Sequence, residues 1–239
     1  MSRLRITEIF HSLQGESASV GWRTVFVRLT GCPLRCGYCD TAYAFKGGAW
    51  YEIDDILREV ASYAARHVTV TGGEPLAQEA CTTLLTSLCD AGYVVSLETS
   101  GVIDIAGVDP RVIKVMDLKT PGSGEVERNR YDNIPHLAAG DQVKFVIADD
   151  VDYRWSCEQL RHHSLTMRCD VLFSPVAGQL EPALLADAAH TFADSTNQQR
   201  LGDIIRRLQQ WMKLHEKFRF CFAKQAFQQF NFDFVFSCR

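Results

Sequence analysis

From residue 23 onward the chain alternates between short apolar runs and longer stretches in which apolar residues recur every three or four positions. Residues 23–31 (RTVFVRLTG), 68–73 (VTVTGG), 93–101 (YVVSLETSG), 112–118, 143–148 and 171–176 (VLFSPV) are runs of the first kind. They are rich in Val, Leu and Ile and most give way to glycine or polar residues, as expected of strands buried in a parallel sheet. Between them, residues 52–65 place apolar side chains at 53, 56, 57, 60 and 64. Ala77, Ala80, Leu84, Leu85 and Leu88 form a second helical stripe, and residues 151–163 predict a third helix. Strands that alternate with helices imply βα units around a parallel sheet. Six such units predict an α/β fold, an open, partial (β/α)6 barrel of parallel strands with an atypical C-terminal tail. In barrels, chemistry gathers at the C-terminal ends of the strands. Here those ends carry TGCPLRC, TGGEP, ETSG, DLKTPGSG and SPVAG.

The alternation stops after about residue 186, so the reading divides the chain into a partial barrel, residues 1–186, and a tail, residues 187–239. Within the tail, residues 200–214 predict a helix and residues 218–236 are rich in phenylalanine. No repeat and no Pro/Gly/Ser-rich linker marks the boundary.

Composition adds limits. A length of 239 residues suits one large α/β domain, and 46% hydrophobic residues suffice for a core. A net charge of -4 gives no basic surface for nucleic acid or membrane. The first residues hold no apolar run long enough for a signal peptide or a membrane span, so a cytoplasmic protein is expected. The nine cysteines are an odd number, and only Cys32, Cys36 and Cys39 are clustered. Such a cluster points to metal or redox chemistry, and the scattered cysteines read as small hydrophobic core residues.

Cys32, Cys36 and Cys39 form a C-x3-C-x2-C run on a loop leaving a strand. Thiolates are soft ligands that suit iron–sulfur clusters and zinc. Three of them can cap three irons of a [4Fe–4S] cubane and leave the fourth iron open. Zinc would want a fourth Cys or His, usually from a second C-x2-C pair, and the sequence has no such pair. A second segment, Thr71-Gly72-Gly73-Glu74-Pro75, follows a strand, with glycines that let backbone approach a ligand and a proline suited to a first helical turn. A third group is Ser12-Leu13-Gln14-Gly15-Glu16 with Arg28, Asp40 and Thr41. Gln14 and Glu16 offer hydrogen bonds to a heterocycle. Arg28, in an otherwise apolar strand, requires an anionic partner, which an ordinary salt bridge would also supply.

The cysteine run with an aromatic residue, Tyr38, before its third cysteine resembles the signature of the radical S-adenosylmethionine superfamily. The wider set SLQGE, VFVRLTGCPLRCGYCDTAY, VTVTGGEP, LETSG, DLKTP and SPVAGQLEP resembles the 7-carboxy-7-deazaguanine synthase family from residue 4 to about 184. That resemblance implies conversion of 6-carboxy-5,6,7,8-tetrahydropterin to 7-carboxy-7-deazaguanine with loss of ammonia, on the route to queuosine and related 7-deazapurines. A 5′-deoxyadenosyl radical would take hydrogen from C6 of the pterin, the ring would contract, and the hydrogen would return. The implied cofactors are a [4Fe–4S] cluster on Cys32, Cys36 and Cys39, S-adenosylmethionine, and Mg²⁺ on Thr41. The implied substrate-binding positions are Leu13, Gln14, Gly15, Glu16, Arg28 and Thr99. The implied S-adenosylmethionine positions include Tyr38, Cys39 and Asp40. Gly72, Gly73 and Glu74 belong to the same group, with Glu74 and nearby backbone oxygens on the cofactor's amino group. Gly101 and the triplet Asp117, Leu118 and Lys119 follow, then Ser174, Pro175, Val176 and Ala177. A homodimer and an electron donor such as flavodoxin are the family's expected partners.

The chain departs from the family in two places. Ser17 stands where family members commonly have glycine, a change expected to matter little. The Gln-x-His-Lys-like segment that closes the family's substrate pocket has as its nearest match Lys213-Leu214-His215-Glu216, without a strand-like run before it. Two other readings share the cysteine run: an activating enzyme that makes a glycyl radical on a partner protein, and a non-catalytic iron–sulfur or zinc binding module.

Overall fold

The computed structural model describes residues 3–194. Its frame is one eight-stranded sheet in the order β3-β1-β2-β4-β5-β6-β7-β8. Six strands run parallel: β2 (Arg23–Leu29), β4 (His67–Gly72), β5 (Val94–Thr99), β6 (Ile113–Asp117), β7 (Gln142–Ile147) and β8 (Asp170–Pro175). These are the six strands expected from the apolar runs. Among the described residues the sheet does not close, since β3 and β8 are its two edges.

Two strands were not expected. β1 (Arg3–Leu13) pairs antiparallel with β2, and the short β3 (Ala49–Glu52) pairs antiparallel with β1. The register of β1 shifts between Ile6 and Glu8. An extra residue in a strand exchanges its two faces beyond that point. Leu4 and Ile6 therefore enter the core, whereas Glu8, Phe10 and Ser12, at the same parity, line a cavity on the opposite side.

The helices are α1 (Ile53–Ser62), α2 (Cys81–Asp90), α3 (Asp150–His162) and α4 (Pro182–Asp194). Their apolar stripes are those expected: Ile53, Ile56 and Val60 on α1, and Leu84, Leu85 and Leu88 on α2, are buried. The second stripe starts later than its pattern suggested. Glu74 caps a short 3-10 turn at Pro75–Ala77, and α2 begins only at Cys81. Asp149 caps α3, its side chain accepting from Asp152 N. The β5–β6 connection has no α-helix and the β6–β7 connection is built of 3-10 turns. Both are rich in Gly, Pro, Asp and Asn, which favour turns over helix. Among the described residues no helix is long and apolar enough to cross a membrane.

The 186/187 boundary falls inside α4, whose Leu185 and Ala189 both belong to the core. Tyr153 donates to the Ala188 carbonyl at 2.7 Å. The packed body therefore runs past the expected boundary. The expected helix at 200–214, the phenylalanine-rich stretch and the 213–216 segment lie outside the described residues.

Alternation sorts the parallel strands into two faces. Val25, Val27 and Leu29 of β2, Val68 and Val70 of β4, Val95 and Leu97 of β5, and Val143 and Phe145 of β7 join the core. Intervening residues such as Arg28, Thr71, Glu98 and Lys144 line the cavity. Far from that cavity, at the N-terminal ends of β6 and β7, Asp141 joins two segments. Its carboxylate accepts from Lys114 N at 2.8 Å and Ala138 N at 2.7 Å and pairs with Lys114 Nζ at 2.9 Å. Both side chains are nearly excluded from water, at 6% and 4% exposure. Asp141→Ala, which strands that ammonium, should lower stability by about 3–5 kcal/mol in urea unfolding.

Candidate active site

The C-terminal strand ends surround a cavity of about 970 Å³. One part of its wall is the loop after β2, with Cys32, Cys36 and Cys39 all facing the cavity, half-buried and free of disulfides. That loop is held from outside. Gly37 N donates to the Ser123 carbonyl at 3.0 Å, Arg35 N donates to Glu125, and the Arg35 guanidinium lies 4.3 Å from the Phe45 ring centre. Burial pushes the Cys32 and Cys36 thiols up, with Lys119 acting against it. Metal binding would reverse that preference, since the ligand is the thiolate.

Three free thiols on one cavity wall fit a cluster with an open position. Nearby, Asp117 lines the cavity with Oδ1 buried and unpartnered, while its Oδ2 holds Lys119 Nζ at 2.7 Å. The bare oxygen is an acceptor that a bound ligand would complete. Burial pulls the Lys119 ammonium down, but Asp117, Cys36 and Tyr38 outweigh it and hold it above the usual lysine range. Tyr38 points its hydroxyl at the Val146 carbonyl and Thr120 Oγ1, and burial raises its phenol.

The glycines of the TGGEP segment have a steric reason beyond ligand approach. A Cβ on Gly73 would stand 2.3 Å from the Gly31 carbonyl oxygen and 2.6 Å from Cys32 Cβ; one on Gly72, at φ +146, would stand 2.3 Å from the Leu29 oxygen. The end of β4 therefore lies directly against the root of the cysteine loop.

Glu74 does not reach the cavity. Its carboxylate is fully buried and accepts from Thr99 Oγ1 (2.9 and 3.0 Å), Ser100 N (2.7 Å), Ser100 Oγ and Leu76 N (3.0 Å). It pins the end of β5. Gly101, Leu118 and Ser174, also expected at the cofactor, likewise lie behind the wall. Leu118 is in the core, Ser174 is buried, and Gly101 adopts φ +72 with the Met116 side chain against it. The other expected cofactor positions line the cavity: Tyr38, Cys39, Asp40, Gly72, Gly73, Asp117, Lys119, Pro175, Val176 and Ala177. Thr41 lines it too, donating to Asp40 Oδ1 at 2.7 Å.

The substrate-side positions Leu13, Gln14, Gly15, Glu16, Arg28 and Thr99 all line the same cavity. Arg28 Nε meets Glu8 Oε1 at 2.7 Å, and Tyr43 OH donates to the same oxygen at 2.8 Å. The salt bridge considered for Arg28 thus exists and forms part of the cavity wall. Glu16 pairs with Lys144 at 2.6 Å. Gln14 is nearly buried and its amide is engaged by protein: Nε2 donates to Thr69 Oγ1 (3.1 Å) and Glu98 Oε1 (3.3 Å), and Oε1 accepts from Glu16 N (3.2 Å). Ser17 sits at φ +65. That left-handed conformation costs a non-glycine residue about 1–2 kcal/mol, so glycine would be the unstrained choice at this place. Ser17 Oγ offsets part of the cost through Ser19 Oγ at 2.8 Å.

The sequence reading missed Glu8, Lys144 and, at the cavity floor, Glu98. A charged residue within an apolar strand, the signal that drew attention to Arg28, also marks Glu98.

Comparison with known proteins places this site in a class. The profile of the Radical SAM superfamily matches residues 26–117, which span β2, the cysteine loop, β4, β5 and β6. The chain is 45% identical over 188 residues to the 7-carboxy-7-deazaguanine synthase of Chlorobaculum tepidum, an alignment covering 77% of this chain and 85% of that protein. The 7-carboxy-7-deazaguanine synthase of Koribacter versatilis is 43% identical over 80% of this chain and 85% of its own. Among solved structures, QueE from Escherichia coli superposes with a TM-score of 0.65 at 22% identity, over 79% of this chain and 91% of that one. The chain belongs to the 7-carboxy-7-deazaguanine synthase family.

Gly73→Ala, with its clash against Gly31 backbone, should displace the root of the cysteine loop. Iron bound after anaerobic reconstitution should fall to less than half that of the unaltered chain; equal iron content and an equal cluster absorption spectrum would refute the steric account.

Proposed function

We propose that this chain is a radical S-adenosylmethionine lyase that converts 6-carboxy-5,6,7,8-tetrahydropterin to 7-carboxy-7-deazaguanine with release of ammonia, a step toward queuosine and related 7-deazapurines. The observation that carries this reading is the single cavity joining the three-cysteine wall to a polar floor of Gln14, Arg28, Glu98 and Lys144. Its volume is at the upper end for small-molecule sites, which suits a cofactor and a bicyclic substrate side by side. Family membership supports the product.

Cys32, Cys36 and Cys39 would hold a [4Fe–4S] cluster, with S-adenosylmethionine on the adjoining wall around Tyr38, Gly72, Gly73, Asp117 and Lys119. When bound, the reduced cluster and S-adenosylmethionine supply a 5′-deoxyadenosyl radical. The chain's own residues bind and orient. Arg28, whose Nε is held by Glu8, offers a fixed cation to the substrate carboxylate. Phe10 and Phe26 stack at 5.0 Å on the same wall and keep water from the reacting centre.

Mg²⁺ belongs to the same reading, with Thr41 and neighbouring Asp40 as hard oxygen donors on the cavity wall. A homodimer, a flavodoxin-type electron donor and a cytoplasmic location complete it on family grounds. A glycyl-radical activating enzyme and a non-catalytic metal module gain no comparable support.

The test is anaerobic reconstitution with iron and sulfide, then addition of S-adenosylmethionine, dithionite, Mg²⁺ and 6-carboxytetrahydropterin, with products resolved by chromatography and mass. The expected result is 7-carboxy-7-deazaguanine without proportional consumption of S-adenosylmethionine. Cofactor cleavage with no deazaguanine would reject the substrate; absence of any cluster would reject the whole reading.

A further inference from the structure

Glu98 occupies an unusual place. It lies near the C-terminal end of β5, a strand otherwise made of Val, Leu, Ser and Thr, and its side chain faces the cavity floor. Counting hydrogen-bond capacity shows what that floor can offer a ligand. Both hydrogens of Gln14 Nε2 are committed, one to Thr69 and one to Glu98. The one hydroxyl hydrogen of Thr71 goes to Glu98 Oε2 at 2.9 Å. An ionised carboxylate has about four acceptor positions on its two oxygens. Gln14 and Thr71 occupy one position on each oxygen, which leaves one on each. Gln14 and Thr71 have no donor hydrogens left there, so the remaining capacity of this patch is an acceptor pair on a single carboxylate.

We propose that Glu98, held in place by Gln14 and Thr71, reads a pair of adjacent N–H donors on a planar heterocycle at the cavity floor, and that Gln14 orients Glu98 without being the main contact. The proposal rests on the pterin reading, because a 2-amino-4-oxo ring presents such an amino–lactam N–H edge. Two parallel N–H donors on one carboxylate make the strong, direction-setting arrangement known from bidentate ion pairs. The electrostatics are compatible. Burial raises the Glu98 carboxyl and Glu16 adds to that, whereas Lys144, the Thr71 hydroxyl and Arg28 lower it. Two further donors from a ligand would join the lowering side and favour the charged acceptor. Arg28 on β2 and Glu98 on β5 line the same cavity on strands separated by β4, so the floor has a cationic and an acceptor side. A ring carrying a carboxylate on one end and N–H donors on the other can bind in one orientation only.

The experiment uses the reconstituted full chain loaded with S-adenosylmethionine and measures anaerobic binding of 6-carboxytetrahydropterin and of its analogue lacking the 2-amino group. The unaltered chain should prefer the full substrate by about 10- to 100-fold, the range for a hydrogen bond to a charged group. Glu98→Gln should lose that preference, raise KM by a similar factor with a smaller change in kcat, and keep S-adenosylmethionine affinity within about two-fold. Equal affinity of the unaltered chain for the two ligands overturns the proposal by itself, even if Glu98→Gln does not fold. Retained discrimination in a folded Glu98→Gln overturns it as well. If the unaltered chain binds neither compound, the pterin reading fails and the proposal falls with it, an outcome distinct from binding without discrimination.

Discussion

The carboxylate of Glu74 has no contact with water, and it accepts hydrogen bonds from the end of β5 and from the 3-10 turn that precedes α2. A buried charge of this kind is tolerable only when its oxygens are fully occupied. Here Thr99, Ser100 and Leu76 occupy them. The same residue places Glu74 N on the Gly31 carbonyl at 2.9 Å. The ends of β2, β4 and β5 thus meet at one residue. From that junction the cysteine loop leaves in one direction and the cavity floor extends in the other. Small residues at 72 and 73 follow as a consequence, because the strand ends could not approach this closely with a Cβ between them.

The sheet uses its two faces for opposite purposes. The outer face is an ordinary core of Val, Leu, Ile and Phe packed by helices, with Phe145 and Phe173 stacked at 5.7 Å. The inner face would be filled with branched apolar side chains in a closed eight-stranded barrel. In this open sheet it instead carries Thr24, His67, Thr69, Ser96, Glu98 and Lys144. The lower members satisfy one another: Thr24 Oγ1 with His67 Nδ1 at 2.8 Å and Thr69 Oγ1 with Ser96 Oγ at 2.8 Å. The upper members are left facing the cavity. Polar groups there cost stability unless paired; Lys144 is paired with Glu16 at 2.6 Å, and Glu98 accepts from Gln14 and Thr71, so only the remaining acceptor positions of the Glu98 carboxylate are left for a ligand.

The six parallel strands were legible because even their inward positions include enough Val, Phe, Leu and Thr to read as buried runs. β1 was not legible, because its bulge at Thr7 changes the buried parity midway and no single alternation spans it. β3 is a four-residue edge strand with Trp50 exposed, too short and too open for a pattern to register. In the site, the local motifs were readable because their chemistry lies in sequence spacing: three thiols within eight positions, and two glycines after a strand. Roles that depend on strand pairing were not. The hold of Glu74 on the end of β5 was invisible because Thr99 and Ser100 lie 25 and 26 positions away. The protein partners of Gln14 were not legible because they lie on β4 and β5. Glu98 was hidden one position before Thr99, although its charge in an apolar strand was as conspicuous as that of Arg28.

The cysteine loop shows why spacing alone does not make a cluster site. Cys32, Cys36 and Cys39 are close in sequence, but the contacts that fix the loop between them come from residues 120–146, beyond the fourth parallel strand of the sheet. Ser123 takes the Gly37 N–H, Glu125 takes that of Arg35, and Thr120 with the Val146 carbonyl receives Tyr38. That supporting turn is itself held by Asp152 of α3, whose fully buried carboxylate accepts from Gly122 N at 2.7 Å and Ala148 N at 3.0 Å. Helix α3 packs back on the sheet through Trp155 against Phe145. The path from outer core to thiols therefore runs through α3, one carboxylate and one turn. A curved sheet brings that turn across the cavity to the cysteines; a flat one would carry it away. The openness of the barrel leaves a cavity of about 970 Å³, and its curvature gives the cysteine loop its far support, so the two features come from one shape.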